Sequence, residues 1–133
     1  ETGIVFAMML RTIIKTKDHQ LAFYEAAGGC IRGDVISLGT VEVCLVGYRD
    51  TCPGKHGQAE NAFSYACIEV GKKEIKFMDS LLKTLLKGGD SDANCSIVMA
   101  LIGCIVGYNQ IPSYFKQKIM NFRMSQSSKP RNE

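Results

Sequence analysis

Two aspartates near the start of a predicted helix are the residues of this sequence best suited to chemistry. Asp90 and Asp92 follow the pair Gly88-Gly89 and precede an apolar run from Ile97 to Val106. Paired glycines let a backbone turn sharply and approach a ligand closely. The positive end of a helix dipole favours ionised carboxylates, which are the oxygen ligands that Mg2+ and Ca2+ prefer. The pattern therefore predicts that Asp90 and Asp92 converge on a cation.

Helix capping is the alternative interpretation of the same stretch. Asp90, Asp92 or Asn94 could each accept a hydrogen bond from a free backbone N–H at the helix start. A calcium-binding EF-hand loop is excluded, because such a loop needs Gly at its sixth position and Glu at its twelfth. This chain has Cys95 and Leu101 there. A cation site and a capped helix end both stay open on the residues alone.

The ordered set around this stretch resembles the C-terminal signature of the ADP-ribosylglycohydrolase family. The matching segments are Gly88 to Asp92, an apolar helix rich in small residues, Gly103, Gly107-Tyr108 and Ile111-Pro112. A looser similarity covers Gln58 to Phe63. The resemblance implies an all-α orthogonal helical bundle, of which residues 1–121 form the C-terminal portion and residues 122–133 a flexible polar tail.

The same resemblance implies a two-ion Mg2+ site, with Mn2+ in some members of the family. Asp90 and Asp92 match the family's metal ligands, and Gly88, Gly89 and Ser91 fall where the turn borders the substrate. The implied reaction is hydrolysis of the glycosidic bond between ADP-ribose and a protein side chain, or of a related ADP-ribose derivative. The expected ligand is an ADP-ribosylated protein or a compound of the ADP-ribose type.

Two departures from the family pattern bear on activity. The position after Asp92 is usually Thr or Ser in the family, but here it is Ala93, which has no ligand atom. The family's second acidic metal motif, and the acidic residue that acts in catalysis, have no match in this sequence. We therefore expect that another chain or segment supplies the N-terminal half of the domain, and we name no general base.

Composition restricts the class of protein. The 133 residues are 46% hydrophobic and 22% charged, with a net charge of +3, which is typical of one globular domain. The basic residues are scattered, so we expect no nucleic-acid partner. The longest apolar run, Ile97 to Val106, is well short of the roughly 20 residues that span a bilayer.

Six cysteines are present, and none forms a Cys-x-x-Cys pair or lies at zinc-ligand spacing with a histidine. We interpret them as free thiols that behave as small apolar residues. Free thiols favour an intracellular, reducing compartment, either the cytoplasm or an organelle matrix.

Helical periodicity accounts for most of the chain. We predict helices over Gly3–Ile14, His19–Ala27, Gln58–Glu69, Phe77–Lys87, Asp92–Tyr108 and Ser113–Asn121. The second helix is capped by Asp18 and ends at Gly28-Gly29, with His19 exposed. The fourth is predicted to bury a stripe consisting of Phe77, Met78, Leu81, Leu82, Leu85 and Leu86, while its lysines face solvent. The fifth is apolar nearly all round and should be central.

The segment between the second and third helices is harder to interpret. Val41, Val43 and Leu45 alternate as in a short strand, and residues 47–57 have the composition of a loop. By resemblance, Tyr48, Arg49 and His56 could border the substrate cleft, but we prefer the interpretation as an ordinary solvated loop.

Three functions are compatible with these features. The first is the C-terminal part of a metal-dependent ADP-ribosylglycohydrolase, which the intact Asp90 and Asp92 favour. The second is a catalytically degenerate relative with a structural or assembly role, which Ala93 favours. The third is a helical interaction domain without chemistry of its own.

Overall fold

The computed structural model describes residues 2–31 and 59–126. Within these ranges the chain forms α-helices and one short 3-10 helix, and the predicted all-α fold is confirmed there. The elements are α1 (Thr2–Thr16), α2 (His19–Ile31), α3 (Ala59–Val70), α4 (Phe77–Leu86), α5 (Ser91–Val106), the 3-10 helix Tyr108–Gln110 and α6 (Ser113–Gln126). None of the helices described is long and apolar enough to cross a membrane.

Helix α5 lies at the centre of the fold, as its apolar sequence predicts. It contacts α1, α3 and α4, and it buries Val98, Leu101 and Ile102 completely. The core continues through the buried side chains of three other helices: Val5, Met9 and Ile13 on α1, Ala22 on α2, and Phe63, Ala66, Cys67 and Val70 on α3. Burying one helix on several sides fixes its position, so the turn at its N-terminus is also held in place.

The sequence of α1 contains two adjacent apolar rows, of which one is buried and the other is partly exposed. Val5, Met9 and Ile13 are buried, whereas Ile4 and Met8 are partly solvent-exposed at 48% and 39%. Periodicity predicted an apolar side for this helix, and the packing selects the row that faces the core.

Helix α2 begins as predicted and ends later than predicted. The Asp18 Oδ1 accepts a hydrogen bond from the Leu21 N–H at 2.9 Å, which is an N-cap. The helix passes through Gly28-Gly29 and ends at Ile31. The prediction that this glycine pair stops the helix is therefore wrong, because glycine costs only about 1 kcal/mol in a helix and does not forbid it.

His19 is half-buried, so the prediction that it is exposed is also wrong. Its Nε2 lies 2.9 Å from the backbone oxygen of Lys72. A carbonyl oxygen can only accept, so the Nε2–H is the donor. This bond fastens the start of α2 to the connection between α3 and α4.

Helix α4 buries a different side from the one that periodicity predicted. Its fully buried side chains are the polar Ser80 and Thr84, while Phe77 and Leu81 are half-buried. The other four members of the predicted core stripe are exposed, and they are Met78, Leu82, Leu85 and Leu86. Both buried hydroxyls are satisfied: the Ser80 Oγ donates to Glu69 Oε2 at 2.7 Å, and the Thr84 Oγ1 donates to the Ser80 backbone oxygen at 2.8 Å. Satisfied hydroxyls remove most of the cost of burying this side.

A buried carboxylate joins α3 to α4. Glu69 is 5% exposed, accepts the Ser80 hydroxyl, and pairs through its other oxygen with the Lys72 ammonium. Buried carboxylates need such partners, because an unpaired charge away from water is costly. Lys72 also supplies the backbone oxygen that His19 binds. The Glu69 side chain thus joins α3 to α4, and the Lys72 backbone joins the connection between them to α2.

Glu69→Ala is expected to lower the free energy of unfolding by about 2 kcal/mol, because it leaves the buried Ser80 hydroxyl without its acceptor. Denaturation in urea measures the change. Glu74→Ala is the matched control, since Glu74 is exposed on the same connection, and it should cost less than about 0.5 kcal/mol. Equal effects of the two substitutions would contradict this account of the Glu69 network.

Two further sequence predictions concern the length of the last helix and the segment before α3. Helix α6 runs from Ser113 to Gln126, five residues beyond the predicted Asn121, so residues 122–126 are helical rather than part of the tail. The predicted strand around Val43 and the loop with Tyr48, Arg49 and His56 lie outside the described residues.

Candidate functional site

The candidate site is the turn between α4 and α5. After α4 ends at Leu86, Gly88 and Gly89 adopt φ values of 73° and 72°. Both lie in the left-handed region that glycine enters without strain and most other residues avoid. The Gly88 N–H donates to the Leu85 carbonyl at 3.1 Å, and the Ser91 N–H donates to the Gly89 carbonyl at 2.9 Å. The glycines therefore reverse the chain so that Asp90 stands at the start of α5.

Asp90 and Asp92 lie side by side and face solvent. Their carboxyl groups share a hydrogen bond, which raises the pKa of Asp90 and lowers the pKa of Asp92. The N–H groups of Asp92 and Ala93 lower the pKa of Asp92 further. Asp90 is thus the member of the pair that holds a proton longer, and Asp92 is the member that ionises first. With both ionised, the pair presents four carboxylate oxygens at one place.

Asp90 occupies the N-cap position of α5, but its side chain makes no capping hydrogen bond. The backbone oxygen of Asp90 instead accepts the Asn94 N–H at 2.9 Å, as in the first turn of a helix. The Ala93 N–H nevertheless lowers the pKa of Asp90, so this carboxyl still interacts with the start of the helix. Asp92 lies in the first turn, where the helix dipole favours a negative charge.

Burial of the residues that follow holds the pair in place. Asn94 is 3% exposed and Val98, one turn later, is fully buried. Helical spacing puts these two residues on the side of α5 that faces the core, while Asp92 and Ala93 face outward.

The carboxylate pair offers the type of oxygen ligand that a hard cation prefers, but it offers fewer of them than the cation needs. Mg2+ takes about six oxygen ligands, and two aspartates supply at most four. Within residues 2–31 and 59–126, no three or more His, Cys, Asp or Glu side chains form a group that could hold a metal ion. Ala93 is exposed beside the pair and offers no oxygen.

Gly107 and Tyr108 lie at the other end of α5 from the aspartates. A helix of 16 residues is about 24 Å long, so this part of the motif cannot contact the same ligand atoms as Asp90. Gly107 has φ 80°, which ends the helix. The Tyr108 ring is exposed, with the Lys116 Nζ 4.3 Å from its centroid. Gly107 and Tyr108 therefore determine how the chain leaves α5, and they are not part of the carboxylate turn.

Cys95 is a neighbour of the site that sequence reasoning did not connect with it. Burial raises the pKa of its thiol, and the negative charge of Asp92 raises the pKa further. Its place one turn along the helix from Asp92 was the available signal. Cys95 and Cys104 are free thiols.

Cys95 should report the charge on Asp92. Asp92→Asn removes a negative charge beside the thiol, so the Cys95 pKa falls, more thiolate is present, and alkylation by iodoacetamide at pH 8 becomes about twofold faster. Mg2+ bound at the pair acts in the same direction in the wild type and has no effect in the variant. Peptide mass spectrometry measures the rate, and Cys104, half-buried near the other end of α5, is the internal control. If the alkylation rate of Cys95 changed neither with Asp92→Asn nor with Mg2+, the thiol would not sense the charge on the aspartate pair.

Three comparisons with known proteins indicate the family of this chain. No match was found among curated proteins or among solved structures. A family model described as ADP-ribosylglycohydrolase matches residues 3–129. The match includes the glycine turn, both aspartates and the whole of α5. Because it spans nearly all of the sequence, the chain belongs to the ADP-ribosylglycohydrolase family, and its function is of that general type.

Proposed function

We propose that this chain contributes the Asp90–Asp92 turn to a metal-dependent hydrolase that cleaves a glycosidic bond of ADP-ribose. The bond joins ADP-ribose to a protein side chain or lies in a related ADP-ribose derivative. The observation that carries the proposal is the pair of adjacent, solvent-facing carboxyls that the Gly88-Gly89 turn places together at the start of α5.

Asp90 and Asp92 would hold Mg2+, or Mn2+, through their carboxylate oxygens. When bound, such an ion polarises ligand oxygens and lowers the pKa of bound water. Gly88, Gly89 and Ser91 would border the ribose, because glycine lets a ligand approach the backbone closely. The role of the chain's own residues is to place negative charge at a fixed point.

The remaining metal ligands and the general base would come from a segment beyond the described residues, in this chain or in another. Two observations support this division. The described part of the chain holds no third acidic, histidine or cysteine ligand near the pair, and Ala93 stands beside it without a ligand atom. We identify no catalytic residue in the described part.

A second candidate function is a degenerate family member that keeps the fold as a structural or assembly subunit. Ala93 favours it, because loss of one oxygen from an already small donor set weakens cation binding. The buried core of α5 is independent of the metal and would persist in such a protein.

We also propose an intracellular, reducing compartment. Its support is the presence of free thiols among the described residues, at Cys95 and Cys104. Disulfides would be expected to form readily in an oxidising compartment.

The test that separates enzyme from scaffold is turnover by the full-length gene product. Release of ADP-ribose from an ADP-ribosylated protein, measured with Mg2+ and after treatment with EDTA, should occur only with the metal. Release that is unaffected by EDTA would overturn the metal-dependent mechanism. No release under either condition, with Mg2+ binding intact, would favour the degenerate subunit.

A further inference from the structure

Helix α4 is fastened to α3 by polar side chains. The side chains that α4 buries fully are Ser80 and Thr84, and the Ser80 hydroxyl donates to the Glu69 carboxylate of α3 at 2.7 Å. Apolar contact has no preferred direction, whereas a hydrogen bond weakens steeply as its length and angle change. The bond between Glu69 and Ser80 therefore fixes how far α4 is turned about its axis and where it lies along α3.

A second contact joins the same sides of the two helices at the far end of α4. Lys87 is the C-cap residue of α4, and its Nζ lies 5.9 Å from the centroid of the Tyr65 ring on α3. Tyr65 lies one turn before Glu69, and Lys87 lies two turns after Ser80, so each pair shares one side of its helix. The contact between α3 and α4 thus extends to the residue that precedes Gly88.

The two aspartates of the candidate site depend on different helices. Asp92 belongs to α5, which the core holds through its buried side chains. Asp90 stands between α5 and the Gly88-Gly89 turn, so its position also depends on where α4 ends. Glycine accepts a wide range of backbone angles, so the turn itself offers little resistance to a shift of α4. Such a shift would move Asp90 and alter its hydrogen bond with Asp92.

We propose that Glu69 is a positioning residue for the Asp90–Asp92 pair. By holding Ser80, it sets the place of α4 and hence the separation of the two aspartate carboxyls. Glu69 is 5% exposed and lies on α3, so it acts through α4 rather than on a ligand. The placement of the turn can be tested without metal, whereas its consequence for cation binding rests on the proposed function.

Hydrogen exchange in the full chain tests the placement of the turn. The reporters are the Gly88 and Asn94 N–H groups, whose hydrogen bonds lie on either side of the turn, and NMR measures each of them. Glu69→Ala should raise their exchange rates at least about fivefold, because the turn opens more often when α4 is loosened. Glu69→Gln should leave the rates near their wild-type values, because the amide oxygen can still accept the Ser80 hydroxyl.

Ile13→Ala separates the placement of the turn from general stability. Ile13 is 1% exposed in α1, which packs against α2, α3 and α5, and its truncation should cost at least as much stability as Glu69→Ala. Amides that exchange by local opening do not respond to a loss of global stability. Ile13→Ala should therefore leave the exchange of Gly88 and Asn94 unchanged, and circular dichroism confirms that each variant is folded.

Binding of Mg2+ tests the consequence for the aspartate pair. In titration calorimetry well below the melting temperature, Glu69→Ala should weaken Mg2+ binding at least about threefold, because residues that orient metal ligands affect metal affinity. Glu69→Gln and Ile13→Ala should keep the wild-type Kd. A residue that only stabilised the fold would lower the melting temperature without changing the Kd of the folded protein.

Ser80→Ala removes the donor of the same bond and should reproduce the effects of Glu69→Ala. If Gly88 and Asn94 exchanged in both variants as in the wild type, or equally fast in Ile13→Ala, the core of α5 alone would place the turn and the proposal would be overturned. If exchange rose in both variants but the wild type bound no Mg2+, the placement by Glu69 would stand and the proposed function would fail.

Discussion

Loss of the entire Mg2+-dependent rise in melting temperature is the expected result of replacing Asp90 and Asp92 together by asparagine. The substitution keeps side-chain size and removes both negative charges from the turn. A site with two carboxylates and several waters should bind Mg2+ weakly, with a Kd of about 1 mM. At 10 mM Mg2+ such a site raises the melting temperature of a domain of this size by about 5 °C, because the ion binds only the folded state. The neutral variant should show no rise.

Two controls make the result specific to the turn. Asp79→Asn removes an exposed carboxylate from the first turn of α4, so it tests the general effect of losing a negative charge, and it should keep the rise. Ala93→Thr adds a hydroxyl at an exposed position beside the pair and should enlarge the rise. A double variant that responds to Mg2+ as the wild type does would remove Asp90 and Asp92 as ligands.

The features that the sequence predicts well are those with local causes. Gly88 and Gly89 take positive φ values because the turn requires them, and glycine is the residue that supplies them cheaply. Asp18 caps α2 through a bond to Leu21, three residues later. Helix α5 is central because so many of its residues are apolar that any packing must cover several of its sides.

In α4, the burial of Ser80 and Thr84 instead of the predicted leucines has a non-local cause and could not be predicted. Periodicity shows that Leu82 and Leu86 share one side of the helix, but it does not identify the neighbours of that side. Ser80 can be buried because Glu69, on another helix, accepts its hydroxyl. This pairing across 11 residues of chain leaves no periodic signal. The hydrogen bond between Asp90 and Asp92 likewise depends on side-chain conformation, which spacing alone does not determine.

The largest loss of stability is expected from Leu101→Ala in α5. Leu101 is fully buried at the centre of the fold, among side chains of α1 and α3 that belong to the same core. Truncation there removes buried methyl groups and leaves a cavity that rigid neighbours cannot fill. The free energy of unfolding should fall by about 3 kcal/mol, measured from the midpoint and slope of urea denaturation.

Leu86→Ala is the matched control, because it makes the same chemical change at a position that is 84% exposed. Little apolar area leaves water on folding there, so the cost should be below about 0.5 kcal/mol. The difference between the two substitutions measures burial alone, since both sites lie in helices and lose the same atoms. If Leu86→Ala were instead as costly as Leu101→Ala, the leucines of α4 would belong to the core as periodicity predicted, and α4 would have to be turned about its axis.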